Sequence, residues 1–80
     1  MTTLAVELHP QAYKVVCTDE ILIVELVDGR TISAPLVWFP SLCSATKEQR
    51  NNWELLGAGE GIHWPDIDED LSVAGLLEGK

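Results

Sequence analysis

Read for the spacing of apolar and polar positions, the chain divides into short alternating segments. Residues 1 to 12 carry no clean period, and His9-Pro10 disfavours helix because a residue before proline avoids the helical region, so they are read as an arm. Tyr13 to Thr18, YKVVCT, is β-branched and ends at Asp19-Glu20, which predicts a strand and a turn. Ile21 to Leu26 is apolar except for Glu25, as expected of a central strand covered on most of both faces. Asp28-Gly29 then marks a hairpin. A two-residue loop would set apolar against polar positions. A three-residue loop, Val27-Asp28-Gly29, pairs Leu26 with Arg30, Val24 with Ile32 and Leu22 with Ala34, and uses Gly29 in the left-handed position.

The third strand ends at Pro35. Beyond it, PLVWFPSLCSAT predicts a tight turn and a short helical turn with Pro40 at its first position. Thr46-Lys47-Glu48-Gln49 forms a capping box that opens a helix over about 47 to 52. Trp53 to Leu56 either extends that helix or opens a strand, and Gly57 to Gly61 forms a loop or bulge. Ile62-His63-Trp64-Pro65 alternates as a short strand that ends, or lies at an edge, at Pro65. A terminal helix over Ser72 to Glu78 can be capped by Asp70 or Ser72 and ended by Gly79. The expected fold class is α+β: a small antiparallel sheet of three to four strands with two short helices on one face. It forms a single domain over 1–80, with an arm at 1–12 and a core at 13–78.

Composition narrows the function classes. Eighty residues, 46% of them hydrophobic, can fold, but so short a chain buries only about 60 to 65% of its unfolded surface and has little room for a deep active site. Thirteen acidic against five basic residues give a net charge of -8, which disfavours nucleic acid and favours a basic partner or a cation. The N-terminus has neither a basic flank nor a long apolar core, so no signal peptide, no membrane span and a cytoplasmic location are expected. Cys17 and Cys43 lack CxxC spacing and are read as reduced structural thiols.

Candidate chemistry concentrates between Trp53 and Asp70, WELLGAGEGIHWPDIDED. Asp66-Ile67-Asp68-Glu69-Asp70 opens like an EF-hand loop, but Leu71 and Leu77 stand where glycine and the bidentate glutamate are needed. The plain role of these acids is to form a turn and start the last helix. His63 beside them is a candidate ligand or base, yet no nucleophile or HExxH accompanies it. GAGEG lacks the third glycine of a phosphate loop and carries an acid, so its glycines are expected to bend the chain or to let Trp53 or Trp64 lie across it. Trp38, Trp53 and Trp64 can all be core; an exposed one would mark a partner surface.

The segments LVDGR at 26 to 30, APLVWFPSL at 34 to 42, ATKEQRNNW at 45 to 53 and GEGIHWPDIDEDLSVAGLL at 59 to 77 closely resemble the Domain of Unknown Function 2442 family of small bacterial domains. The resemblance spans roughly Tyr13 to Leu77 and is most specific from Gly61 to Leu76. It implies a compact α+β domain. Some members are fused to a helix-turn-helix, for which this chain is expected to have no room. Many are similar to genes beside another small domain, in an arrangement suggestive of toxin and antitoxin. It supplies no catalytic residues.

The leading expectation is a non-enzymatic protein-interaction module without cofactor. Its partner would be a small basic protein, in an antitoxin-like pairing, or a second copy of itself, and the candidate surface is Trp53, Glu60, His63, Trp64, Asp66, Asp68 and Glu69. The alternative is a divalent-metal-binding domain or metal-dependent enzyme using His63, Asp66, Asp68 and Asp70.

Overall fold

The computed structural model describes residues 10–78, which form an α+β domain. Most of the expected N-terminal arm, including His9, and Gly79 at the expected end of the last helix lie outside the described residues. Strands β1 (Ala12–Cys17), β2 (Ile21–Leu26) and β3 (Thr31–Pro35) make one antiparallel sheet with β2 in the centre. The register is the one the apolar pattern selects: Val24 faces Ile32 and Leu22 faces Ala34. Leu26 N–H donates to the Arg30 carbonyl at 2.8 Å, and Gly29, at φ +99°, closes a three-residue loop. Any other residue at that φ would carry a Cβ against its own backbone.

One face of this sheet is core: Leu22, Val24, Leu26, Val15 and Ala34 are buried and Ile32 is half-buried. The other face departs from expectation. Val16 pairs with Ile23, and Ile21 with Pro35, on a face where Val16 and Ile21 are 36% and 39% exposed. Coverage of both faces was expected from an almost unbroken apolar run. Among the described residues, however, only the inner face is covered. Glu25 lies half-buried on the open face, where it accepts a hydrogen bond from the Tyr13 hydroxyl at 2.8 Å. A register shift between Ala12 and Lys14 places Tyr13 there.

A 3-10 turn (Leu36–Trp38) leads into α1 (Pro40–Cys43) and α2 (Lys47–Asn51). Pro40 opens α1, where its missing N–H costs nothing. The capping box at Thr46 forms in both directions: Gln49 N–H donates to Thr46 Oγ1 at 3.1 Å, and Thr46 N–H donates to Gln49 Oε1 at 2.9 Å. Helix α3 (Val73–Leu77) is capped by Ser72, whose hydroxyl accepts from Gly75 N–H at 3.2 Å.

The second half corrects the single-sheet expectation. Strands β4 (Glu54–Leu56), β5 (Gly61–Trp64) and β6 (Glu69–Ser72) form a second three-stranded antiparallel sheet, and among the described residues the α-helices number three rather than two. Glu69 and Asp70, expected in a turn, instead pair with Trp64 and His63 as part of β6. The two sheets share one core, to which β5 contributes Ile62 and Trp64 and α3 contributes Val73 and Leu76. Trp64 is fully buried, and its indole N–H donates to the Arg50 carbonyl at 3.0 Å, fastening the second sheet to α2.

Candidate functional site

The segment from Trp53 to Asp70 is built around two four-residue turns. The first, residues 57–60, joins β4 to β5, with Gly57 and Gly59 at φ +61° and +90°. Gly59 is the junction of the two sheets: its carbonyl accepts from Ala12 N–H at 2.7 Å, and a Cβ on it would lie 2.4 Å from the Ala12 carbonyl oxygen. The glycines do bend the chain. What passes across Gly59 is the backbone of β1 rather than a tryptophan. Glu60 projects its side chain to solvent while its carbonyl receives Val73 N–H at 3.0 Å, so the same loop anchors the start of α3.

The second turn, residues 65–68, joins β5 to β6. Asp68 takes φ +54°, a left-handed conformation that a short polar side chain tolerates better than most. Asp66 accepts from the Asn52 amide at 3.0 Å. His63 lies between Glu54 and Asp70 in a row across the second sheet, and its Nδ1 is bonded to the Asp70 carboxylate. That hydrogen bond is the main reason the imidazole titrates above its ordinary range. Partial desolvation opposes it, and the charges of Asp70, Glu54 and Asp68 add to the rise.

Of the alternative metal set His63, Asp66, Asp68 and Asp70, the structure brings His63 and Asp70 into contact and leaves Asp66 with Asn52. Trp64 is wholly buried and can meet no partner. Trp53 is half-buried against the core, and Glu69 is half-buried beside Trp64. Among the described residues, no three His, Cys, Asp or Glu side chains converge as a metal-binding group. The hydrogen bonds within this segment tie its turns to β1, α2 and α3.

Two further features do not show in the sequence pattern, and a third, Trp38, is left open there between core and surface. The first is Arg50, 8% exposed, whose guanidinium donates to the carbonyls of Leu42 and Cys43 and to Asp19 Oδ1, each at 2.9 Å. It satisfies carbonyls that the four-residue α1 cannot pair internally. The polar run KEQRN in which it stands holds no apolar position that would mark a buried side chain. The second is the open face of the first sheet. Trp38 is 54% exposed on the 3-10 turn, beside the still more exposed Val37.

The sequence pattern of the family described as a protein of unknown function (DUF2442) matches residues 12–80. The chain belongs to that family. A DUF2442 reading thus covers both sheets and all three helices. A solved structure of a protein of unknown function from Rhodospirillum rubrum ATCC 11170 is similar, with 36% identity over 88% of this chain and 87% of that chain and a TM-score of 0.74. No curated protein matches the chain.

Proposed function

We propose that this DUF2442 domain is a non-enzymatic protein-interaction module that docks a small basic protein on the open face of its first sheet. The observation that supports it is the apolar lane on that face, where Val16 lies against Ile23 and Ile21 against Pro35, with Tyr13 exposed nearby. An exposed apolar patch rimmed by polar groups is a common mark of a contact surface. Trp38, three residues beyond Pro35, lies within about 11 Å of the lane and supplies an aromatic anchor of the kind that dominates binding energy. The net charge of -8 disfavours a second acidic copy and attracts a basic partner. An antitoxin-like role in the cytoplasm fits these properties. No helix among the described residues is long and apolar enough to cross a membrane.

The test is affinity purification from the native host, followed by reconstitution of the captured protein with purified domain. Binding should weaken as salt rises. Val16→Lys and Ile21→Lys should abolish it while leaving the far-UV spectrum unchanged, since both positions are solvent-exposed. A partner that binds both variants as tightly as the parent chain would remove the sheet face from consideration. A captured set with no basic protein would remove the charge argument.

A further inference from the structure

Away from the open sheet face, a cavity of about 280 Å³ lies between the end of β1 and α2, lined by Cys17, Thr18, Asp19, Lys47, Arg50 and Asn51. Its chemistry runs against the rest of the molecule. Lys47 and Arg50 are two of only five basic residues in a chain with thirteen acidic ones, and both border this space. Lys47, Arg50 and Asn51 fall at helical spacings of three and four, so α2 presents them as one group. Among the described residues, Lys47 makes no ion pair and the Asn51 side chain makes no hydrogen bond. A guanidinium carries five N–H donors, and three of those on Arg50 are engaged. Each of its nitrogens has a partner, and Nη1 and Nη2 each keep one further N–H for an incoming acceptor.

Asp19 closes the set. Its carboxylate is 86% exposed and holds Arg50 through one oxygen only. A guanidinium is shaped to take two oxygens of one planar or tetrahedral anion. The capping role of Arg50 explains its bonds to Leu42 and Cys43. It leaves unexplained the unpaired Lys47, the free Asn51 amide and the space they border. Cys17, whose thiol burial pushes up against the pull of Arg50, adds no competing negative charge at neutral pH.

The geometry points to a binding site for a small oxyanion, of the carboxylate or phosphate class, in this cavity, where the ligand displaces Asp19 from Arg50 and is held by Arg50, Lys47 and Asn51. The site is independent of the sheet-face reading, because none of its lining residues is on the apolar lane.

The experiment is a titration of the full chain with inorganic phosphate and, separately, with acetate, at an ionic strength held constant by chloride. It is followed through the NMR signals of the Asn51 side-chain amide and the Arg50 Nε–H. Saturation by phosphate alone assigns the phosphate class, saturation by acetate alone the carboxylate class, and saturation by both the shared oxyanion chemistry. Lys47→Gln should weaken the response several-fold. Asp19→Asn removes the internal competitor and should tighten it by roughly threefold, about what releasing an exposed ion pair provides. Both side chains are exposed, so neither change threatens the fold. Shifts that stay linear with both anions, or saturation indifferent to Lys47→Gln and Asp19→Asn, would overturn the site.

Discussion

Gly59 is the residue at which the backbone of β1 meets the turn between β4 and β5. Its φ of +90° alone penalises a side chain, and a methyl group there would also sit 2.4 Å from the Ala12 carbonyl oxygen, which is backbone and cannot swing aside. Gly59→Ala should therefore cost about 2 kcal/mol or more, against a few tenths for Ala58→Gly, where the neighbouring residue of the same turn is exposed. Urea denaturation of the two variants checks this, and equal midpoints would refute the close approach. At this scale, sequence is informative where the constraint is local. Gly29 and the Thr46 capping box are decided by residues within four positions, and both form as expected. Trp38 and Trp64 could not be separated in that way. Each is preceded by an aliphatic or polar neighbour and followed by an apolar residue or proline, and only the three-dimensional packing decides that one is exposed and the other buried.

At the scale of elements, the second sheet was the harder part to read. β4 has three residues and β6 begins with Glu69-Asp70, so neither shows the apolar alternation by which strands are recognised. Their pairing comes instead from β5, whose Ile62 and Trp64 are fully buried, and from side chains that meet across it. The Glu54, His63 and Asp70 row is such a contact, and it predicts that the sheet's stability depends on pH. His63 is held above the ordinary histidine value of 6.5, first by its hydrogen bond to Asp70. The folded state thus binds the proton more tightly than the unfolded one. The stabilisation is complete below pH 6.5 and is lost as pH rises through the higher folded value. We expect the melting temperature of the parent chain to fall, relative to His63→Gln, as pH is raised from about 6 to about 8. Asp70→Asn should show the same loss of slope as His63→Gln. Parallel curves for all three proteins would show that the pair contributes nothing to folding.

For the whole molecule, the question is whether two three-stranded sheets behave as one unit. A lone sheet of this size has little to bury, and each half here depends on the other. Ala12 N–H is satisfied by Gly59, Val73 N–H by Glu60, and the Trp64 indole by the Arg50 carbonyl of α2, while a single apolar cluster draws on both sheets, α1 and α3. The α+β class was legible because alternation and caps are local. The division into two sheets was not, because it rests on contacts such as Ala12 with Gly59, separated by most of the chain. Independent unfolding of either sheet would strand buried donors and expose Trp64, which is costly enough to enforce a single transition. Two probes can distinguish the cases. With Trp38 and Trp53 replaced by Phe, emission reports on Trp64 in the second sheet. With Cys43 replaced by Ser, pulsed alkylation reports on half-buried Cys17 in the first. Both should follow the same urea midpoint within error, and a Cys17 that becomes reactive well before Trp64 is exposed would mean that the first sheet opens by itself.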